Sequence, residues 1–379
     1  MRPLLLTENY PPDRGGMAES CDRIVRGLRG RGVKVDVVHF DRKASRTDFK
    51  TNESGSHLRW RVEINAGHAI NTLWNRLRQT FDLEAATHVV AFGGALPIAA
   101  APLYSALIRR PLITLLRGSE FDAGLFDTRR RQFLDEALRR SVAICTVTTE
   151  QEEKVGALYE GARVHLISNG IDFDLWKPTK ADRERAANLR AEVNRPRIIG
   201  FFGDLKAKKG VPFFLEVLRR GFADQFHVLL VGEVDEELAA YLDAHADLAL
   251  TRLPPRDRFE LMPLYLACDF VALPSHYDGF PNVLIEAAAL GVPVIASAVG
   301  GMRDILVDGD NGFVFEPGDE HDCRRAIAAA AKVDEAALRR MRDRVMATVR
   351  QRCNSADETA GYLRVLEETL LRRIQCAES

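Results

Sequence analysis

The chain lacks the features that mark several common protein classes. Its six cysteines are scattered and contain no C-x-x-C pair, which excludes a disulfide framework or a zinc site and fits a reducing compartment. The 53 basic and 54 acidic residues leave a net charge of -1, which gives no argument for a nucleic-acid partner. The opening MRPLLLTENYPP has too short an apolar stretch for a signal peptide. We therefore expect a cytoplasmic protein.

An uninterrupted apolar run long enough to cross a membrane is also missing. Residues 89–108, VVAFGGALPIAAAPLYSALI, carry no charge, but Gly93, Gly94, Pro97 and Pro102 break the run. A buried strand from His88 to Phe92, a glycine turn and the start of a buried helix explain the segment better than a membrane span.

Short β-rich runs alternate with helical periodicity along the chain. PLLLTE, a helical segment with an apolar stripe, and VKVDVVHF form a β-α-β unit, and the same rhythm resumes after residue 197. With 379 residues the chain is too long for one ordinary core. The sequence therefore predicts an α/β fold of two Rossmann-like, doubly wound domains that face an interdomain cleft, with ligands at the carboxyl ends of strands.

The predicted boundaries follow from composition. Between the two halves lies a charged segment with few apolar residues, KPTKADRERAANLRAEVNRP, which we interpret as a connector. Near the end, Ser355 followed by Glu358 is a capping-box pattern, so a final helix is predicted to begin there. The predicted parts are a first domain (1–178), a linker (179–196), a second domain (197–354) and a final helix (355–379) that packs back on the first domain.

Two strand-to-helix turns have compositions suited to phosphate. Gly15 and Gly16 stand directly before a helix, where missing side chains let a phosphate approach backbone N–H groups, although a flexible loop would look the same. No G-x-G-x-x-G is present, so a dinucleotide fingerprint is absent. In GDLKAKKGVPFF, Lys206, Lys208 and Lys209 crowd a turn and suit a diphosphate, with a solvated basic turn as the alternative.

The stretch PSHYDGFPNVLIEAAALGVPVIAS places an acid inside an apolar helix. Pro281 is predicted near the first helical turn, so the backbone N–H groups around Asn282 and Val283 would form an anion site. Glu286 lies four residues beyond Asn282, on the same helix face. Its carboxylate could accept two hydrogen bonds from a vicinal diol such as a ribose. A partly exposed glutamate or a structural ion pair is the alternative.

This stretch, continued by AVGG and VDGDNGFVFEPGD, resembles the donor-binding signature of the family 4 retaining glycosyltransferases of the GT-B fold. In that family two acids stand eight residues apart, as Asp278 and Glu286 do here. PPDRGGMAE, ISNGIDFDLWKP and GDLKAKKG also occur in the family's order, so the resemblance covers nearly the whole chain. It implies transfer of a sugar from a nucleoside-diphosphate sugar to a hydroxyl acceptor, in the synthesis of a glycan, a glycolipid or a glycosylated metabolite. No further cofactor is implied, and no acidic metal cage is evident.

The resemblance also implies a role for each matching residue. Glu286 would bind the ribose hydroxyls, Asp278 the hydroxyls of the transferred sugar, and Gly16 and Lys209 the diphosphate. The candidate catalytic residues are Lys206, Lys209, Arg117 and Asp278. The candidate donor-binding residues are Gly15, Gly16, Gly203, Asp278, Gly279, Phe280, Asn282, Val283 and Glu286.

Three positions depart from the family pattern. Asp278 replaces the usual glutamate and is one methylene shorter. Asp204 stands directly after Gly203, where the family usually has arginine, and Lys206 is the candidate to supply the missing charge. Arg117 stands where many members have a histidine near the reacting sugar. Because arginine cannot act as a base, we predict an oxyanion or phosphate contact for it.

Alternatives to this function stay open. A sugar-nucleotide epimerase could use the same two-domain frame, and a non-catalytic GT-B subunit could keep the fold without the chemistry. The acceptor could be a saccharide, a lipid-linked glycan or a small molecule. The segment 57–81, with Trp60 and Trp74 among arginines, could form a membrane-surface patch that places the protein at the inner face of the membrane, or a packed strand and helix.

Overall fold

Two compact α/β units make up the chain. The computed structural model describes residues 1–62, 65–118, 120–206, 209–245 and 247–378. Unit 1 comprises Met1–Asn169 and Ser355–Ser379, and unit 2 comprises Gly170–Asn354. Each unit is built on its own largely parallel sheet.

Unit 1 contains an eight-stranded sheet. Its strands are β1 (Pro3–Thr7), β2 (Asp36–Asp41), β3 (Asp48–Asn52), β4 (Gly55–Arg61), β5 (His88–Phe92), β6 (Leu112–Leu115), β7 (Ser141–Thr146) and β8 (Val164–Leu166). The order across the sheet is β3-β4-β2-β1-β5-β6-β7-β8, and only β3 runs antiparallel to its neighbour β4. Strand β5 has the bounds predicted from the sequence, and all five of its residues are buried.

Six helices of the described part of residues 1–169 cover this sheet. They are α1 (Gly16–Gly30), α2 (Ala66–Thr80), α3 (Ala95–Ile108), α4 (Glu120–Phe126), α5 (Thr128–Arg140) and α6 (Thr149–Leu158). The stripe predicted for α1 faces the core, where Cys21, Ile24 and Leu28 are buried. A hydrophobic stripe of this kind is what lets a marginal isolated helix become stable on a sheet.

For 57–81 the structure shows the packed strand and helix, the alternative to a membrane-surface patch. Leu73 and Leu77 of α2 are fully buried in the core with Phe81, and Trp74 stacks on Tyr104 with ring centroids 5.8 Å apart. These apolar side chains are therefore part of the core and are not available to a lipid surface. Among the described residues, no helix combines the length and the apolar character needed to span a membrane.

Unit 2 contains a fully parallel six-stranded sheet. Its strands are β9 (Arg197–Leu205), β10 (Phe226–Val234), β11 (Leu250–Leu253), β12 (Phe270–Leu273), β13 (Val294–Ser297) and β14 (Gly312–Phe315). The order β11-β10-β9-β12-β13-β14 is that of a doubly wound Rossmann sheet. The winding reverses between β9 and β12, and the crevice at the carboxyl ends of such a strand pair is the usual ligand site in open α/β sheets.

The described residues of unit 2 form eight helices. They are α7 (Lys180–Ala191), α8 (Val211–Phe222), α9 (Glu236–Ala244), α10 (Arg258–Ala267), α11 (Asn282–Ala289), α12 (Gly301–Ile305), α13 (Glu320–Lys332) and α14 (Glu335–Arg352). The core of the unit is formed by the β9, β10 and β12 side chains packed against α8 and α13.

The predicted linker 179–196 is instead part of unit 2. Residues 180–191 form α7, which begins with a capping box between Thr179 and Asp182 and packs against α10. Only Ala186 of α7 is buried, so composition alone gave no sign of this packing. Residues 170–178 also belong to unit 2, which moves the boundary from 178 to 169.

The final helix, α15 (Ser355–Glu378), returns to unit 1 and packs on α1. Its buried stripe of Tyr362, Val365 and Leu366 joins the core cluster of α1 and the sheet. Glu358 was predicted to complete a capping box. In the structure its carboxylate forms an ion pair with Arg23, with 2.7 Å between Arg23 Nε and Glu358 Oε2.

Candidate functional site

The candidate site of unit 2 surrounds the carboxyl ends of β9 and β12. Strand β9 leads through Gly203 and Asp204 into the basic turn that precedes α8. The α8 cap, Gly210, has a φ of 70°, and a Cβ there would lie 2.0 Å from the carbonyl oxygen of Pro274. Only glycine fits that approach. The close approach of Gly210 to Pro274 packs the end of the basic turn against the loop that follows β12.

Lys209 and Asp278 meet across this junction. Lys209 Nζ lies 2.6 Å from Asp278 Oδ2, and the two side chains are 34% and 17% exposed. The same Oδ2 accepts from Ser275 Oγ at 3.4 Å, and Oδ1 accepts from the backbone N–H of Gly279 at 3.0 Å. Two residues predicted to act on one donor therefore lie side by side, although 69 positions separate them in the chain.

A glycine pair holds the Asp278 loop in place. Gly300 has a φ of 48°, and a Cβ there would lie 2.2 Å from the carbonyl oxygen of Asp278. The N–H of Gly301 donates to the carbonyl oxygen of Gly279 at 2.7 Å. The signal for this pair in the sequence is the VGG that follows a buried strand, although no role was predicted for it. The side chain of Phe280 is buried against Gly301, so only its backbone is a candidate for ligand contact.

Helix α11 begins at Asn282 with Pro281 as its N-cap, next to the Asp278 loop. This is the start that the sequence predicted, with half-buried Val283 in the first turn. The N-terminus of a helix carries a partial positive charge, which favours an anion there.

Glu286 stands on α11 between the buried residues Ile285 and Ala287 and is itself half-buried. Its Oε2 accepts a hydrogen bond of 2.8 Å from the hydroxyl of Tyr265, a fully buried residue of α10. Burial, and then the Glu286 charge, raise the pKa of Tyr265 well above its ordinary value. The glutamate therefore faces a permanent hydrogen-bond donor on one side.

The basic turn after β9 contains a second ion pair. Lys206 Nζ lies 2.7 Å from Asp204 Oδ2, with both side chains about half exposed. The hydrogen bond that Lys206 donates to Asp204 raises the pKa of Lys206. Lys206 thus neutralises the acid that replaces the family's arginine. Lys208, the third lysine of the predicted cluster, lies outside the described residues.

Gly15 and Gly16 are exposed at the start of α1 in unit 1. Gly15 is the N-cap of α1, with a φ of 110°, and a Cβ there would have no neighbouring atom within 4 Å. Gly15 therefore leaves open space at a helix N-terminus, as a phosphate contact would require.

Arg117 lies in the interior of unit 1. Its side chain is 1% exposed, and it binds the Tyr362 hydroxyl, Asn169 Oδ1 and, at 3.3 Å from Nη2, Glu358 Oε1. The guanidinium also lies over the Phe92 ring, 5.3 Å from the centroid. The predicted oxyanion or phosphate contact requires an accessible guanidinium. These contacts favour a different role, which is to anchor α15 to the sheet.

One group of three potential metal ligands was found among the described residues. Asp13, His39 and Asp41 of unit 1 have ligand atoms within 4.8 Å of one another. However, Asp41 Oδ1 accepts from the N–H groups of Lys43 and Ala44, and its Oδ2 lies 2.5 Å from Arg59 Nη2. Asp41 is therefore already neutralised by a cation and hydrogen-bonded without a metal.

Comparison with known families decides the class of the protein. The family model of the glycosyl transferase 4-like domain matches residues 15–170, and that of glycosyl transferases group 1 matches residues 196–332. The chain belongs to the group 1 glycosyltransferases of the GT-B fold.

Named relatives of this group 1 glycosyltransferase are similar over part of their length. The D-inositol 3-phosphate glycosyltransferase of Mycobacteroides abscessus is 30% identical over 225 residues, which cover 56% of this chain and 49% of the relative. The protein of the same name from Xylanimonas cellulosilytica is 30% identical over 203 residues, 50% of this chain and 47% of the relative. The chain spans about half the length of the curated relatives it matches.

Solved structures agree on the fold of the group 1 glycosyltransferase. Sucrose-phosphate synthase from Thermosynechococcus elongatus superposes with a TM-score of 0.79 at 19% identity, with both chains fully covered. Anabaena HepE in complex with UDP and glucose gives 0.76 at 18% identity, covering 97% of this chain and 99% of that one. WaaG, a glycosyltransferase involved in lipopolysaccharide biosynthesis, gives 0.73 at 17% identity, covering 96% and 99%. The predicted GT-B fold is confirmed.

Proposed function

We propose that the protein is a retaining, metal-independent glycosyltransferase that transfers a sugar from a nucleoside-diphosphate sugar to a hydroxyl acceptor. The observation that carries this proposal is the contact between Lys209 and Asp278 at the switch point of unit 2, with Glu286 one helical turn beyond Asn282. A cation for a phosphate, an acid for sugar hydroxyls and an acid for a ribose diol are thereby gathered in one unit.

In this proposal the ion pair exchanges partners when the donor binds. Asp278 exchanges Lys209 for hydroxyls of the sugar, and Lys209 turns to an oxygen of the diphosphate. The bond between the anomeric carbon and the phosphate oxygen then breaks, and a bond to the acceptor oxygen forms on the same face. The acceptor proton passes to the departing phosphate. The protein contributes orientation and stabilises developing charge with Lys209 and the N-terminus of α11.

The donor class is supported by the names of structural neighbours. HepE was solved with UDP-glucose, and the catalytic domain of starch synthase IV from Arabidopsis thaliana with ADP and acarbose. A ribose diol is common to both nucleotides, so the role proposed for Glu286 does not depend on the base. The relatives named for D-inositol 3-phosphate make a phosphorylated polyol one acceptor to try, beside saccharide and lipid-linked acceptors.

A donor panel tests this function. The full chain is screened against UDP-, ADP- and GDP-sugars by thermal shift, because a bound donor raises the melting temperature with the logarithm of its saturation. Glu286→Ala should weaken the donor that binds by about 1.5–3 kcal/mol, the range for a hydrogen bond to a charged group. Unchanged affinity would refute the donor site.

Turnover then separates the alternatives. A transferase gives a glycosylated acceptor with the donor's anomeric configuration, which nuclear magnetic resonance reads directly. An epimerase would instead return a second nucleotide sugar without an acceptor, and a non-catalytic subunit would bind donor without turnover.

A further inference from the structure

Tyr265 is a buried tyrosine whose hydroxyl contacts Glu286 of the candidate donor site. It lies on α10, whose N-terminus is fixed by a capping box between Asp257 and Glu260. Its side chain is fully buried, and its hydroxyl donates to Glu286 Oε2 at 2.8 Å. Buried tyrosines usually find a partner for their hydroxyl. Here the partner is the acid to which the proposed function assigns the ribose.

The Tyr265 ring is held by aromatic neighbours. It stacks on Phe202, near the end of β9, with centroids 3.9 Å apart and planes 22° apart, and Trp176 approaches with a centroid distance of 6.1 Å at 64°. Phe202 in turn lies over Gly200, where a Cβ would be 2.5 Å from the Phe202 ring. The close packing of these rings fixes the position of the hydroxyl.

The direction of the Tyr265–Glu286 hydrogen bond is fixed by electrostatics. Burial and the neighbouring glutamate charge raise the pKa of the Tyr265 phenol, so the phenol keeps its proton and donates. A carboxylate offers about four acceptor positions, and the Tyr265 hydroxyl occupies one of those of Glu286. The terminal χ3 torsion of a glutamate has a broad distribution. A fixed hydrogen-bond donor at one carboxylate oxygen restricts this torsion to a narrower range.

We infer that Tyr265 is a positioning residue for Glu286, which holds the carboxylate in the orientation that receives both hydroxyls of a ribose. Tyr265 does not touch the donor. It makes the site selective for a ribonucleotide over a deoxyribonucleotide donor. The inference rests on the proposed function, since it requires that Glu286 bind the ribose.

Ribose selectivity gives a readout that mere scaffolding would not move. Binding of UDP and of 2′-deoxyuridine diphosphate to the full chain is measured by calorimetry, with the ADP and GDP pairs in parallel. We expect the wild type to prefer UDP by about tenfold, equivalent to about 1.4 kcal/mol. In Tyr265→Phe this preference should fall to about threefold or less, because the UDP affinity drops while that of the deoxynucleotide barely changes.

Tyr241→Phe is the matched control. Tyr241 also donates to a glutamate of unit 2, Glu216, with 2.9 Å between its hydroxyl and Oε2. It is half-buried and belongs to α9, away from the Glu286 contact. Its loss should leave the UDP preference at the wild-type value. Both variants are first compared with the wild type by melting temperature.

A double-mutant cycle completes the test. Once Glu286 is replaced by alanine, Tyr265→Phe should have no further effect on UDP affinity, because the positioned group is gone. Equal weakening of UDP and the deoxynucleotide by Tyr265→Phe would overturn the inference and make Tyr265 a packing residue. An unchanged preference would overturn it as well. Failure of the wild type to bind any of the three nucleotides would instead overturn the proposed function.

Discussion

At the scale of single residues, charge is balanced pair by pair in the candidate site. Asp204 is matched by Lys206, and Asp278 by Lys209. The second pair lies in a less exposed position than the first, so solvent screens it less. In the proposed function, Lys209 must leave Asp278 when the donor diphosphate binds, so that Asp278 can bind the sugar. Lys206 neutralises Asp204, which would lie beside the diphosphate.

The Asp204–Lys206 pair leads to a rescue prediction. Lys206→Ala should lower kcat/KM about tenfold, because an uncompensated Asp204 then faces the departing diphosphate. Adding Asp204→Asn should restore most of the loss. Initial rates with the donor found in the panel measure both variants. If the double variant is no better than Lys206→Ala, then Lys206 acts on the donor directly.

Lys209→Ala should behave differently from Lys206→Ala. We expect a loss of about 10²-fold in kcat/KM, since a transition-state charge contact is removed, and no recovery when Asp204→Asn is added. Lys180→Ala is the control in the same rate assay, because Lys180 is a solvent-exposed lysine of unit 2 on α7. A Lys209→Ala enzyme with wild-type kcat/KM would contradict the assigned role.

At the scale of elements, α15 is held on unit 1 by a buried charge network. Arg117 and Arg23 both bind Glu358, whose side chain is 1% exposed, and Tyr362 adds its hydroxyl to Arg117. A buried carboxylate of this kind is stable only with its partners, because desolvation of a lone charge is costly.

Arg117→Ala should therefore destabilise unit 1. We expect a loss of about 3 kcal/mol, the low end for breaking a buried ion pair, since Arg23 still partners Glu358. In scanning calorimetry this corresponds to a midpoint about 6–12 °C lower for a unit of this size. Arg26→Ala, which breaks an exposed pair with Asp22 in α1, should cost little. Unchanged melting with lost turnover would instead support the phosphate contact predicted from the sequence.

The neighbouring strands β2 and β4 give unit 1 a pH-dependent stability. His39 on β2 and His57 on β4 stack with ring centroids 6.0 Å apart. Burial lowers the pKa of both imidazoles, that of His57 to about 4. Between pH 6.5 and 4 the unfolded chain then binds more protons than the folded one, so stability is present above this window and is lost as the pH falls through it.

His57→Gln should flatten that dependence. From pH 7 to pH 5 the wild-type unit 1 should lose about 2 kcal/mol of unfolding free energy through His57 alone, and the variant should not show this loss. Calorimetric midpoints at the two pH values measure it. His68→Gln, at an exposed position of α2, controls for the substitution itself. Equal slopes for wild type and His57→Gln would contradict the assignment.

At the scale of the whole molecule, metal dependence is the main question for the chemistry. The cations around the proposed diphosphate position are Lys206 and Lys209, and the Asp13, His39 and Asp41 group has its Asp41 already bound to Arg59. We therefore expect turnover to persist in excess EDTA. Loss of activity that Mg²⁺ or Mn²⁺ restores would show a metal bridge to the donor diphosphate.

The local geometry of the candidate donor-site residues could be predicted because it depends on a short stretch of chain. Asp278, Pro281 and Glu286 lie within one loop and the helix that follows, so spacing and turn chemistry define their arrangement. The contact of Tyr265 with Glu286 could not be predicted, since it joins two residues 21 positions apart on different helices. Arg117 could not be predicted for the same reason, because its partners Asn169, Glu358 and Tyr362 come from distant parts of the chain.

The sequence by itself determined the α/β alternation, the two doubly wound sheets and the strand β5, because hydrophobic period and turn residues act over a few positions. Tertiary structure decided the rest. It assigned the polar helix α7 to unit 2, turned Leu73 and Leu77 inward, and paired Lys206 with Asp204 and Lys209 with Asp278. These outcomes depend on which surfaces and charges meet after folding, and burial and Coulomb energies between distant residues leave no local pattern in the chain.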